Sequence, residues 1–172
     1  MSDTTTPQRE PLPLRLLDGI TQGLNVAGST LILLLMTLVG IDVAGRNLAG
    51  NPISGVPELV TLSIVAIVFL QIPAALRQGR MTQSDAFIGW LTRTYPTIGN
   101  LLATLFDLIA IAVIWVILRE TWPIFTRAWD RGEFVGAVGD FAAPVWPVKL
   151  ILILGGSVLI LQFAARIWRR YR

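Results

Sequence analysis

Pro57 to Phe87 reads PELVTLSIVAIVFLQIPAALRQGRMTQSDAF. Pro57 and Glu58 suit the first turn of a helix: a proline there forfeits no intrahelical hydrogen bond, and a carboxylate faces the positive end of the helix dipole. Between Leu59 and Leu76 no residue is charged. Taken from Pro57, roughly 20 residues span about 30 Å as a helix, the thickness of a bilayer core. Gln71 and Pro73 interrupt the run, and Arg77, Arg80 and Asp85 form a charged exit. The stretch predicts a membrane span with an acidic cap at one end and a basic stop at the other.

The composition extends that pattern to the whole chain. Of 172 residues, 53% are hydrophobic and 15% charged, and the mean hydropathy is +0.65. A soluble domain carries about 25% charged residues. The arginines flank apolar runs instead of clustering on a polar surface, so the basic pI of about 10.2 points to membrane surfaces and not to nucleic acid. There is no cysteine and no histidine. Disulfides, thiolate metal sites, imidazole haem ligation and histidine-based catalysis are thereby excluded. The chain shows no phosphate loop, no metal-ligand cluster and no nucleophile beside a base. The expectation is a non-enzyme with no catalytic residue, no cofactor and no metal.

Three further runs resemble the first. The sequence predicts an all-α integral membrane protein of one domain, residues 1–172. Its spans fall at about 24–43, 57–76, 98–118 and 147–165, between a flexible cytoplasmic N-terminus, 1–13, and a basic cytoplasmic tail, 166–172. The flank before the first span mixes Arg9 and Arg15 with Glu10 and Asp18, and the apolar run is too long for a signal core, so it is read as retained. Gly19, Gly23 and Ala27 fall four apart, either a helix-packing stripe or the ordinary glycine content of membrane helices. Asp42 and Arg46, also four apart, share a face and can pair. The Gly-, Asn- and Pro-rich turn after Arg46 brings that residue near Glu58, either as a pair across the hairpin or as two solvated cap residues. Ser84 to Tyr95 places Phe87, Ile88, Trp90, Leu91 and Tyr95 on one side, which suits a short interfacial amphipathic helix between the second and third spans, with a plain loop as the alternative.

Asp107 stands near the middle of the third run. A bare carboxylate there costs roughly 2.5–3.5 kcal/mol on insertion scales, so it must face protein or water, be protonated, or find a partner. It is either a proton or cation ligand or an interhelical bonding residue. No second acidic residue sits at mid-depth to form a relay, which favours the interhelical role. Arg119 to Pro147 is the longest polar connection, its first part either extending the third helix or folding along the surface. Trp122, Trp129 and Trp146 fit an aromatic belt. Arg166, Arg169, Arg170 and Arg172 read as an anchor for anionic lipid headgroups. Four spans put both termini on one side. Nine basic residues on that side against five on the other make it cytoplasmic by the positive-inside rule.

The ordered features resemble the small permease subunit (DctQ-type) of TRAP transporters, the tripartite ATP-independent periplasmic transporters. The resemblance covers roughly Leu14 to Arg170. It rests on Arg46, the Asn51-Pro52 turn and Glu58; on Ala74-Ala75-Leu76-Arg77, Gly79-Arg80 and Asp85; and on Pro144, Trp146 and Gly155-Gly156. The chain departs from the family at Val56-Pro57-Glu58, where a tryptophan and two acidic residues are usual, and at Met81 to Ser84, where a histidine is common. The resemblance implies a bacterial inner-membrane protein that scaffolds a large multi-spanning permease subunit. That subunit carries the substrate and sodium sites, and a periplasmic solute-binding protein delivers the solute, with organic acids as the expected class. Membrane lipids complete the expected partners. Arg46, Glu58, Arg77, Arg80, Asp85 and Asp107 are the structural or interface candidates; Arg127, Asp130, Arg131 and Glu133 are the receptor-docking candidates. Two alternatives stand: the small subunit of a tripartite tricarboxylate transporter, and a self-associating channel or proton-coupled exporter built on Asp107.

Overall fold

The computed structural model describes residues 11–50, 53–79, 96–136 and 141–171. The described residues form four helices, α1 (Leu12–Ala49), α2 (Val56–Arg77), α3 (Pro96–Arg131) and α4 (Trp146–Tyr171). Each is long and apolar enough to cross a membrane. α2 begins as the sequence predicts, with proline in its first turn and Glu58 beside it. The segment expected as an interfacial helix, with Arg80 and Asp85, lies outside the described residues.

α1 and α3 are both longer than the runs that announced them. α3 continues past 118 to Arg131, so the long polar connection is in large part helix. Beyond α3 the chain forms a small antiparallel hairpin, β1 (Phe134–Val135) with β2 (Ala143–Pro144), Phe134 opposite Pro144 and Val135 opposite Ala143. Phe141 reaches the α1–α2 turn, where its ring covers Gly55. That glycine has φ +84, and a Cβ on it would collide with the ring, so the position is closed to other residues both by backbone conformation and by space. Asp42 holds the same turn: its Oδ2 pairs with Arg46 at 3.0 Å and its Oδ1 accepts the Ile53 N–H at 2.8 Å.

The helices pack in the order α1, α2, α4, α3, with α1 also touching α4. The last helix in sequence is therefore central in space. Lipid tails are as apolar as leucine, so apolar burial gives little drive for helix association; close backbone approach and polar bonds must supply it. Gly155 and Gly156 provide the approach. A Cβ on Gly155 would strike the Phe69 carbonyl of α2, and one on Gly156 would lie 2.7 Å from Leu118 of α3. Adjacent residues point about 100° apart on a helix, so the pair admits one neighbour on each side. Below it, Leu76, Leu159 and Phe163 form a buried cluster against Ile72, Ala110, Ile111 and Ile114. On α1 the buried residues Thr21, Gly28 and Asp42 recur at multiples of seven, a straight seam toward the bundle. The Gly19, Gly23 and Ala27 stripe is turned away from it: the first two have nothing within 4 Å of a would-be Cβ, and Ala27 is exposed.

Candidate functional site

The start of α1, the end of α2, the first third of α3 and the end of α4 meet at one level, and their polar side chains turn inward there. Asp18 of α1 receives Arg77 Nε of α2 at 3.1 Å and Arg169 of α4 at 2.9 Å. Gln162 Nε2 donates to Asp18 at 3.3 Å and to the Thr21 hydroxyl at 2.7 Å, and that hydroxyl donates to the Leu17 carbonyl. One carboxylate thus joins three helices.

A second carboxylate does the same on the other flank of α4. Asp107, 1% exposed, lies 2.8 Å from Arg170 and 3.6 Å from Arg166. The Arg170 contact is a charge pair without the alignment of a hydrogen bond. Arg170 also donates to Thr104 Oγ1 at 2.9 Å. The Thr104 hydroxyl donates to the Asn100 carbonyl at 2.7 Å, and the Tyr171 hydroxyl stands 3.0 Å away. Helical spacing explains the division: Gln162 and Arg169 are seven apart and face α1, while Arg166 and Arg170 are four apart and face α3. Arginine suits this work because its planar fork serves two acceptors without losing its charge.

The arginines of the tail were expected to face lipid headgroups. Arg166, Arg169 and Arg170 instead reach inward to Asp107 and Asp18, because two buried carboxylates at that depth need cations. From the sequence, Asp18 is taken only as a flanking charge and Gln162 is not singled out. Their signal was there: Gln162 is the only amide in the last apolar run, and Asp18 sits just ahead of a small-residue stripe.

The opposite face holds a second charged group. Lys149 Nζ, in the first turn of α4, donates to Glu133 at 2.8 Å and to the Ile124 carbonyl at 3.4 Å. The Lys149 ammonium holds the Glu133 carboxyl below the usual glutamate range, with Arg127 and Arg131 adding to the effect. Arg127 itself donates to the Pro123 carbonyl at 3.1 Å. Asp130 and Arg131 are exposed at the end of α3. Beside them Trp122, Phe125, Trp129 and Trp146 form an aromatic run, its last pair edge-to-face at 4.8 Å. Arg46 is on this face too, paired with Asp42. The expected Arg46–Glu58 bridge does not form among the described residues, because the carboxylate one turn away within α1 is nearer at hand. No group of three or more metal-ligating residues occurs among the described residues.

The arrangement is a frame: a polar layer and a glycine contact lock α4 to its neighbours, while long apolar strips of α1 and α3 face outward. A family model, DctQ, described as the DctQ component of tripartite ATP-independent periplasmic transporters, matches residues 35–172. No curated relative and no solved structure matches the chain.

Proposed function

Because the chain belongs to the DctQ family, the small permease component of TRAP transporters, we propose that it scaffolds the large permease subunit in the inner membrane during sodium-coupled, binding-protein-dependent solute uptake. Organic acids are the solute class proposed. In this reading both termini lie on the cytoplasmic side, as the excess of basic residues there supports.

The observation that carries this reading is the double lock on α4. Asp18 and Asp107 engage that helix from opposite flanks, so the four helices are tied into one body at the level of the termini. A body so tied resists shear, and its outward strips on α1 and α3 are free to hold a neighbour. Asp107, with Arg166 and Arg170 against it, serves cohesion in this reading and not proton traffic. Arg127, Asp130, Arg131 and Glu133 ring the hairpin face and supply part of the surface on which the binding protein docks.

Co-purification tests the scaffold. A tagged large subunit is expected to bring this chain down at a one-to-one ratio. The chain alone in liposomes is expected to move no solute under a sodium gradient. Transport by the chain unaided, or a large subunit that works fully without it, would overturn the reading.

A further inference from the structure

Most cations of the hairpin half of the helices have protein partners. Arg46 has Asp42, Lys149 has Glu133, and Arg127 has the Pro123 carbonyl. Arg119 of α3 has neither an ion pair nor a hydrogen bond among the described residues, and it is exposed. It is also deep. Lys149 marks the polar boundary of α4 and bonds the carbonyl of Ile124 on α3. Arg119 lies five residues before Ile124, roughly 7.5 Å further into the slab. Arg131, which is also exposed, lies at the far end of α3, so only Arg119 needs an anion reaching down to it.

A cleft of about 370 Å³ opens beside this guanidinium, between α3 and α4. It is lined by Trp115, Leu118, Arg119, Trp122, Ile153 and Ser157. Its lining is apolar along its length, with the cation and the Trp122 indole toward the polar boundary. Tryptophan favours that depth because its ring is apolar and its N–H polar. The cleft thus joins one cation to apolar walls that run past it, with Trp115 and Leu118 toward the bilayer centre and Trp122 and Ile153 toward Lys149.

We propose that the α3–α4 cleft holds a glycerophospholipid from the leaflet on the hairpin side, with its phosphate on Arg119 and an acyl chain along Trp115 and Leu118. A lipid phosphate at the polar boundary is the anion that a snorkelling guanidinium reaches from that depth, and guanidinium matches it in geometry as well as charge. A helix of the large subunit bearing a carboxylate is the rival occupant. The site is independent of the scaffold reading, since it can exist whichever protein the chain supports.

Full-length chain purified in mild detergent is titrated with dioleoylphosphatidylglycerol, with dioleoylglycerol and with inorganic phosphate, and its melting temperature followed. Only the phospholipid, which joins phosphate to chains, is expected to raise it, by several degrees. Arg119→Gln is expected to lose most of that rise, Arg119→Lys to keep part, and Arg131→Gln to keep all of it. Ser157→Phe fills the cleft while leaving Arg119 in place and is expected to lose the rise as well. An equal rise with dioleoylglycerol or with phosphate alone overturns the proposal, as does a full rise in Arg119→Gln. A full rise in that variant together with loss of the co-purifying large subunit assigns the cleft to the protein partner instead.

Discussion

At the scale of single residues, two carboxylates decide how the chain holds together, and neither works alone. Removing one member of a buried charge pair costs about 3–5 kcal/mol, because the other charge is left without a partner. Asp107→Asn is therefore expected to lower stability by about 3 kcal/mol, read as a drop in the chemical-denaturation midpoint in detergent. Arg170→Gln alone should also destabilise, and the double variant should lose less than the two losses added together. Simple additivity would show that Asp107 and Arg170 are neighbours and nothing more. Glu133 gives a second residue-level expectation. Its folded pKa is depressed, chiefly by the Lys149 hydrogen bond. Stability from this pair is present above the unfolded glutamate pKa and is lost as pH falls through the lower, folded one. The emission of Trp129 and Trp146 beside it should titrate with a midpoint below the usual glutamate range, and Glu133→Gln should abolish that transition. A midpoint at or above the ordinary value would mean that Lys149 does not hold the carboxyl in solution.

At the scale of elements, the helices were legible and their sides were not. An uncharged run such as Leu59 to Leu76 announces a span by length alone, whereas α1 and α3 outrun the apolar stretches that reveal them. Helical turns rich in charge, such as those from Arg119 to Arg131, look like loop to a hydropathy reading. Facing is harder still. Asp18 and Arg169 are partners 151 positions apart, and nothing local in either segment names the other. The same limit applies to the small residues: Gly19, Gly23 and Ala27 make the more regular stripe, yet the contact within the chain uses Gly155 and Gly156. Geometry decides, since only the latter meet the Phe69 carbonyl and the Leu118 side chain. Gly155→Leu is accordingly expected to push α4 off α2 and to cost more than about 2 kcal/mol, as overpacking against backbone does. Gly19→Leu should change stability by less than about 0.5 kcal/mol. Denaturation midpoints of the two variants test this, and equal effects would contradict the described packing.

At the scale of the whole molecule, the two polar faces dispose their described charges differently. Among the described residues where α1 begins and α4 ends, Asp18 and Asp107 draw Arg77, Arg166, Arg169 and Arg170 inward, and these charges are consumed in cohesion. On the hairpin face Asp130 and Arg131 stay exposed, and the Glu133–Lys149 pair remains partly open to solvent. A docking surface must keep charge outward, since complementary potentials steer encounter and choose the partner. The faces should therefore fail in different ways. Asp18→Asn is expected to weaken recovery of the large subunit at least several-fold in a pull-down, because the frame that presents α1 loosens when Arg77 and Arg169 lose the negative charge between them. Reversing Arg127, Asp130 and Arg131 together should leave that recovery unchanged and should reduce binding-protein-dependent uptake several-fold. The reduction should deepen at low ionic strength, where exposed charges act over a longer range. If the hairpin-face reversal instead releases the large subunit, the outward charges serve the permanent interface; if uptake is untouched, the binding protein docks elsewhere. Only loss of uptake with the complex intact fits a frame that is cohesive at one membrane face and receptive at the other.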